Sequence, residues 1–169
     1  MKKVIISVII ILAWLTNGYT QTAESYFKKG EAKYNAGNYK AAVEDYTKAI
    51  NLNPKDINYY LRRGFCRGLN QDYKGAIEDY TKMIEIDPKH RWAYVSRGAA
   101  KNKLTDYKNA MDDFNKALEL DPADQEAYNN RGWSKKGLGD KDGACEDWNK
   151  SKKMGNEEAK IILKNNYCK

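Results

Sequence analysis

Carboxylates are plentiful in this sequence, with 23 Asp and Glu, but they recur as surface and register residues, and the other side chains typical of catalytic or metal sites are few. The 169 residues include three cysteines and a single histidine, His90. No cluster with metal-ligand spacing, no glycine-rich phosphate loop and no nucleophile paired with a base is present. We therefore predict no metal, no cofactor and no enzymatic activity. His90 is interpreted as a solvated loop residue and Cys66 as a buried core thiol.

The other two cysteines are predicted to form a disulfide bond. Cys145 lies ten residues before Gly155, and Cys168 lies thirteen residues after it. A chain reversal at Gly155 and Asn156 would bring the two thiols to similar heights on antiparallel helices. Export permits disulfides, and a closed loop of this size contributes about 3 kcal/mol to stability.

The first twenty residues differ in character from the rest. Lys2 and Lys3 precede an apolar run at residues 4–15, and small polar residues follow it. This pattern is typical of a secretory signal peptide, and the run is shorter than the about 20 residues that span a membrane. We predict a signal peptide over residues 1–20, cleavage near Thr20, periplasmic or secreted bacterial localisation, and no stable membrane insertion after cleavage. An uncleaved membrane anchor is the alternative.

The charge pattern argues against a nucleic-acid partner. The formal net charge is +7, and Lys2 and Lys3 supply two of those charges. Acidic residues are interleaved with the basic ones throughout, whereas nucleic-acid-binding proteins cluster their basic residues on one face.

A period of 34 residues organises the remainder of the sequence. Proline, glycine, alanine and aromatic residues all recur at this interval, in the same order. The recurring positions are Pro54, Pro88 and Pro122; Gly30, Gly64, Gly98 and Gly132; Ala42, Ala76, Ala110 and Ala144; Tyr46, Tyr80, Phe114 and Trp148; and Tyr26, Tyr60, Tyr94 and Tyr128. Internal repeats of this length indicate stacked supersecondary units.

Each unit contains two helical stretches, for example residues 56–70 and 73–86. The second stretch begins after a residue that caps helix N-termini, and proline ends it. The predicted caps are Asn38, Asp72, Asp106 and Asp140. The recurrent glycine and alanine let two antiparallel helices cross closely. Because one helix pair cannot bury its apolar face alone, neighbouring pairs must stack.

The repeated order of aromatic, Gly, Ala, aromatic and Pro resembles the tetratricopeptide repeat family. The resemblance implies an all-α fold, a right-handed α-solenoid of four helix pairs with a C-terminal capping helix. We predict one domain over residues 21–169, with repeats at 23–56, 57–90, 91–124 and 125–155 and the cap helix at 157–167. The fourth repeat departs from the family pattern, since Lys141 replaces a Tyr, Ser151 replaces an Ala, and no Pro follows.

The sequence also departs from the family in its charged residues. Basic residues flank each recurrent glycine of the first helices, and an aspartate precedes each aromatic of the second helices. We predict four ion pairs within repeats: Lys29–Asp45, Arg63–Asp79, Arg97–Asp113 and Arg131–Asp147. If exposed, each contributes about 0–1 kcal/mol, so their role would be to fix helix register. The alternative is a basic stripe for an acidic partner.

In the family, the first helices line a concave groove that binds ligands. The resemblance carries the groove positions onto Glu24, Phe27, Glu31, Tyr34, Asn58, Leu61, Phe65, Gly68, Trp92, Val95, Ala99, Asn102, Glu126, Asn129, Trp133 and Lys136. Exposed aromatic clusters mark interaction sites, and amides can bind a peptide backbone. The predicted partner-binding residues are Phe27, Tyr34, Asn58, Leu61, Phe65, Trp92, Val95, Asn102, Asn129, Trp133 and Lys136. The alternative is that these side chains pack on each other or on the N-terminal segment.

Some family members grip a C-terminal carboxylate with a clamp of Lys and Asn. The corresponding positions here hold Phe27, Glu31 and Leu61, which disfavours such a clamp. We predict a scaffold or adaptor outside the cytoplasm whose partner is a protein or peptide. The alternative is a structural, self-associating component of an envelope assembly.

Overall fold

The computed structural model describes residues 21–165 and Cys168; the predicted signal peptide lies outside this part of the chain. Nine α-helices and no strand are found there. The helices are α1 (Ala23–Asn35), α2 (Tyr39–Leu52), α3 (Ile57–Leu69), α4 (Tyr73–Ile86), α5 (Arg91–Lys103), α6 (Tyr107–Leu120), α7 (Gln125–Gly137), α8 (Lys141–Lys153) and α9 (Glu157–Lys164). They form four antiparallel pairs that stack as an α-solenoid, and α9 covers α8. This confirms the predicted all-α fold.

The second helix of every repeat begins where the sequence predicts. The side chains of Asn38, Asp72 and Asp140 accept hydrogen bonds from the backbone N–H three residues later, at 3.2, 3.0 and 2.9 Å. Such bonds satisfy a helical N–H that has no partner within the helix. Asp106 holds the same position but accepts instead from the side-chain amide of Asn109, at 2.9 Å.

His90 lies in the loop between α4 and α5, as predicted. It is half-buried rather than fully solvated because it is the N-cap of α5, and its Nδ1 accepts a hydrogen bond from the backbone N–H of Ala93 at 3.3 Å. The equivalent positions in the neighbouring repeats are Asp56 and Asp124, which cap α3 and α7. The histidine therefore substitutes for an aspartate in a structural position.

Close contact between a glycine and an aromatic ring sets the crossing of the two helices in each repeat. The pairs are Gly30 with Tyr46, Gly64 with Tyr80, Gly98 with Phe114 and Gly132 with Trp148. A Cβ atom at these glycines would lie 2.6, 2.9, 2.8 and 2.5 Å from the ring. Since carbon atoms pack at about 3.5–4.0 Å, any larger residue would push the helices apart. The recurrent alanines at 42, 76, 110 and 144 are fully buried beside these crossings.

Three of the four predicted ion pairs are present, and they are buried. The guanidinium groups of Arg63, Arg97 and Arg131 approach Asp79, Asp113 and Asp147 to 2.6, 2.7 and 2.7 Å. The three carboxylates are only 1–4% exposed. A second basic residue from the next helical turn also contacts each carboxylate, namely Arg67, Lys101 or Lys135. The expectation of weak, exposed pairs therefore does not apply.

The pair Lys29–Asp45 was predicted wrongly. Asp45 is contacted by Lys33 at 2.5 Å and by Lys48 at 3.7 Å, while the ammonium of Lys29 lies over the ring of Tyr26. In the later repeats the arginine also donates to the second helix of the preceding repeat, as Arg63 does to Thr47 at 3.1 Å. Among the described residues no repeat precedes the first one, so no corresponding partner helix is found there for Lys29, and a lysine stays hydrated more readily than an arginine.

These arginines therefore connect repeats as well as helices. Arg97 donates to Thr81 at 3.2 Å and Arg131 donates to Asn115 at 2.7 Å, each in the preceding repeat. We call the three arginines with their aspartates the arginine ladder: Arg63–Asp79, Arg97–Asp113 and Arg131–Asp147. Burial raises the pKa of the Asp79 carboxyl, and the charges and hydrogen bonds of Arg63 and Arg67 oppose that rise.

The C-terminal end is closed by the cap helix and the predicted disulfide. Cys145 on α8 is bonded to Cys168, with their Cα atoms 5.7 Å apart. Ala159 and Ile162 of α9 are buried against Trp148 of α8. The cap begins at the predicted residue 157 but ends at Lys164, three residues short of the predicted end.

Candidate functional site on the concave surface

The first helices of the repeats, α1, α3, α5 and α7, carry all sixteen groove positions that the sequence predicts. They are spaced three or four residues apart and therefore share one face of each helix. We call this face the concave surface. Its side chains differ in exposure along the solenoid, which gives the surface three sections.

At the N-terminal section the predicted groove residues pack onto neighbouring aromatic rings of the helices. The ring of Phe27 lies 5.1 Å from that of Tyr59 and 5.6 Å from that of Tyr46, between centroids. The ring of Tyr34 lies 5.6 Å from that of Tyr39. Leu61 is half-buried against the core. The ring of Tyr34 also lies 6.0 Å from that of the groove residue Phe65, between centroids, which is a contact of the kind the predicted alternative describes. Phe27 and Leu61 instead pack against the core.

Two aromatic residues at the centre of the concave surface remain exposed. Phe65 and Trp92 keep 43% and 45% of their surface accessible. Between them lies a depression of about 310 Å³ that we call the apolar depression; its floor includes Leu69, Val95 and Ala99. Val95 is only 3% exposed, so it supports the floor rather than offering a free side chain.

The C-terminal section is more polar, and its amides are already engaged. Asn102 donates to the backbone carbonyl of Asn130 at 3.0 Å and accepts from the hydroxyl of Ser134 at 2.7 Å. Asn58, nearer the N-terminus, donates to Asp56 at 3.1 Å. Asn102 thus links α5 to α7, and Asn58 bonds the residue that caps its own helix. Both residues lie on the surface where the sequence predicts them.

Trp133 and Lys136 border a second depression, of about 630 Å³. The ring of Trp133 packs edge-to-face on Trp148 at 5.2 Å, and its Nε1 donates to Glu158 at 3.3 Å. The ammonium of Lys136 lies 4.8 Å from the centre of the Trp133 ring. These contacts hold the indole in a fixed orientation against the cap helix.

A third depression, of about 480 Å³, lies where α5, α7 and α9 meet. Its charged lining consists of Arg91, Asp121, Asp124, Glu126 and Glu158, and Asn129 adds a buried amide. We call it the acidic pocket. The pocket walls remove part of the water around the exposed Glu126 carboxyl. This partial desolvation, Asp124 and Glu158 raise its pKa, while Arg91 lowers it. Trp92 and Glu126 line both the acidic pocket and the apolar depression, so the two adjoin.

Four charged residues of the acidic pocket escaped the sequence prediction of the site: Arg91, Asp121, Asp124 and Glu158. Glu158 belongs to the cap helix, which is outside the 34-residue period, so no repeat register could place it. Arg91 begins α5 and forms ion pairs with Asp121 and Asp124 at the C-terminal end of its own repeat.

Two kinds of feature are absent from the described residues. No group of three or more His, Cys, Asp or Glu side chains at residues 21–165 and 168 could hold a metal ion. Over the same residues, no helix has the length and apolar character needed to cross a membrane.

Comparison with known proteins identifies the family. Models of the tetratricopeptide repeat match residues 23–56, 57–90 and 93–124, which is more than half of the chain. The chain belongs to the tetratricopeptide repeat family. A comparison with curated proteins gave no match.

Solved structures agree with this assignment. The tetratricopeptide domain of Arabidopsis OM64 is 35% identical, with a TM-score of 0.64 over 68% of this chain and 95% of that one. The second such domain of human RPAP3, solved with an HSP70 peptide, is 27% identical, with a TM-score of 0.64 over 67% and 94%. MamA from Desulfovibrio magneticus is 18% identical, with a TM-score of 0.75 over 86% of each chain, and shows likeness of fold alone.

Proposed function

We propose that this protein is an interaction scaffold that binds an extended peptide segment of a partner protein on its concave surface. The observation that carries the proposal is the pair of exposed aromatic side chains, Phe65 and Trp92, on either side of the apolar depression. Aromatic residues that border a pocket are the side chains that most often dominate binding energy. The tetratricopeptide fold and a relative solved with a bound peptide support the same class of function.

The bound segment is expected to be internal to its partner rather than a free C-terminus. Clamp positions that would hold Lys and Asn are occupied by Phe27, Glu31 and Leu61. Phe27 and Leu61 are moreover packed into the core. A terminal carboxylate would find no ammonium at these positions, and Glu31 would repel it.

We place the protein outside the cytoplasm, in the periplasm or beyond. The supporting features are the basic and apolar pattern of residues 1–20 and the pairing of Cys145 with Cys168. Structural disulfides are rare in the cytosol and common in exported proteins. Expression from the full coding sequence, followed by mass measurement, tests this: loss of about residues 1–20 is expected. A product that keeps them points to the membrane-anchored alternative.

The proposal for binding is tested by capturing partners from an envelope extract of the source organism. The wild-type protein is compared with a Phe65→Ala, Trp92→Ala double variant. The matched control is an Ile86→Ala, Leu138→Ala double variant, whose side chains are 41% and 55% exposed but line none of the depressions described above. A partner held by the wild type and the control, and lost by a folded Phe65/Trp92 variant, is expected.

Two results would contradict this function. If all three proteins retain the same partners, the concave surface does not bind them. If the only protein retained is a second copy, and molecular size rises with concentration, the self-associating structural role holds instead.

A further inference from the structure

The acidic pocket adjoins the apolar depression and carries more negative charge than its own residues neutralise. Of its four carboxylates, those of Asp121 and Asp124 are bonded to Arg91. Glu158 accepts hydrogen bonds from Asn129 at 2.8 Å and from Trp133 at 3.3 Å, but both donors are neutral. Neither Glu126 nor Glu158 forms an ion pair with any of the described residues.

Arg91 lowers the pKa of Glu126 from across the pocket, but its ion pairs are with Asp121 and Asp124. The lysines that share a wall with Glu126 or Glu158 do not close the deficit either. Lys103 shares the wall of the apolar depression with Glu126, and Lys136 shares the second depression with Glu158. Neither lysine approaches Glu126 or Glu158 within 4.0 Å, the distance of an ion pair. Both carboxylates thus face the concave surface with their charge uncompensated at close range.

An independent feature of the pocket points to a missing donor. Asn129 is 2% exposed and lines the pocket. Its side-chain nitrogen must face Glu158, because a carboxylate accepts hydrogen bonds and does not donate them. The carbonyl Oδ1 of the same amide is thereby left buried, and no donor among the described residues reaches it. A buried acceptor without a donor costs about 1–3 kcal/mol, and a bound donor would remove that cost.

We propose that the acidic pocket receives a lysine or arginine side chain of the bound peptide, whose apolar neighbour occupies the depression between Phe65 and Trp92. This inference rests on the proposed function and specifies the chemistry of the partner. A cationic side chain supplies several N–H donors at once, which suits Glu126, Glu158 and Oδ1 of Asn129 together. Trp92 separates the two subsites and lines both, so the basic and apolar residues of the peptide must lie close in sequence.

A library of random dodecapeptides displayed on phage provides the test. The library is selected on the protein expressed from its full coding sequence, and in parallel on Trp92→Ala, Glu126→Gln and Glu44→Gln variants. Glu44 is an exposed carboxylate on α2, away from the concave surface, and serves as the matched control. Glu126 is itself exposed, so its amide variant is expected to fold, and circular dichroism checks this for every variant.

The expected result is a set of peptides that bind the wild type and the Glu44 variant but not the Trp92 variant. These peptides should be enriched in Lys or Arg beside an aromatic or aliphatic residue. A synthetic copy of one of them should bind the Glu126→Gln variant about tenfold more weakly. Replacing its basic residue with citrulline or norleucine should weaken binding to the wild type equally and have little further effect on the variant.

Other outcomes distinguish the two proposals. One outcome is that the selected Trp92-dependent peptides lack basic residues and bind the Glu126 variant as well as the wild type. The acidic pocket then does not recognise a positive charge, and this inference is overturned. The proposed function then still stands. If no selected peptide depends on Trp92, both proposals fail together.

Discussion

The first helices of this solenoid have two faces that follow opposite rules. The face toward the second helices repeats the same chemistry in each unit: a glycine against an aromatic ring and, in three repeats, an arginine on a buried aspartate. The concave surface holds a different set of side chains in every repeat. Positions equivalent to Trp92 are Glu24, Asn58 and Glu126. The repeated face is required to stack the units, whereas the varied face is free to define a partner.

The largest expected effect is on the repeated face, at the arginine ladder. Replacing Asp113 with Ala leaves Arg97 and Lys101 without their buried carboxylate. Because breaking a buried ion pair costs about 3–5 kcal/mol, the free energy of unfolding should fall by that amount in urea denaturation. Its neighbour Asp112 is exposed, and Asp112→Ala should change stability by no more than about 0.5 kcal/mol. Equal effects of the two changes would show that the ladder has no structural role.

Reduction of the disulfide should have the next largest effect. The bond between Cys145 and Cys168 spans 23 residues, and opening a loop of this size should lower the free energy of unfolding by about 3 kcal/mol. Mass spectrometry of the intact protein with and without reductant should reveal a gain of two hydrogen atoms. An unchanged mass means that the cysteines are not bonded in the protein as isolated.

Replacing a glycine with alanine, which adds one methyl group, should have opposite effects on the stability of the two faces. Gly98→Ala places a Cβ 2.8 Å from the ring of Phe114, and overpacking of this kind costs about 1–3 kcal/mol. Gly68 lies on the concave surface, and a Cβ there meets nothing within 4 Å. Gly68→Ala should therefore stabilise α3 by about 0.4–1 kcal/mol. Thermal denaturation of both variants measures the difference, and a shift of the same sign in both would contradict it.

The smallest loss of stability is expected at the exposed aromatic residues. Trp92→Ala and Phe65→Ala should each reduce the free energy of unfolding by about 1–2 kcal/mol, less than a fully buried aromatic would, since nearly half of each side chain already contacts water. Their effect on partner binding should be much larger. A Trp92→Ala variant that loses several kcal/mol of stability would assign this residue to the repeated face instead.

The free thiol of Cys66 gives a pH-dependent measure of the core beneath both faces. Burial raises the pKa of this thiol to about 11 from an ordinary value of 9.0. Above pH 9 the unfolded chain loses the thiol proton and the folded chain keeps it, so stability should fall as pH rises from about 9 to 11. Alkylation by iodoacetamide should be slow at pH 8 in the native protein and fast in urea. Rapid labelling of the native protein would contradict the buried position.

The repeated face could be predicted almost completely from the sequence, and the concave surface only in part. The 34-residue period predicted α4 over residues 73–86, and the structure shows the same ends. This prediction succeeded because the glycine, alanine and aromatic residues that repeat contact each other within a single helix pair. The predicted pair Lys29–Asp45 was wrong. The equivalent arginines of later repeats also donate to the repeat before them, and the 34-residue period does not show that Lys29 lacks such a neighbour among the described residues. Phe27 and Val95 are on the predicted face, but the packing of successive first helices decides that they are covered. Glu158 comes from the cap, where no repeat pattern applies.

The disulfide has a mechanical consequence for a protein built as a stack of units. A pull applied to the chain beyond Cys168 passes through the covalent bond to Cys145 in α8 and bypasses α9. The cap helix, which buries Ile162 against the last repeat and carries Glu158, thus lies inside a closed loop that bears no load. Tension between a C-terminal attachment and a partner on the concave surface would leave the acidic pocket assembled.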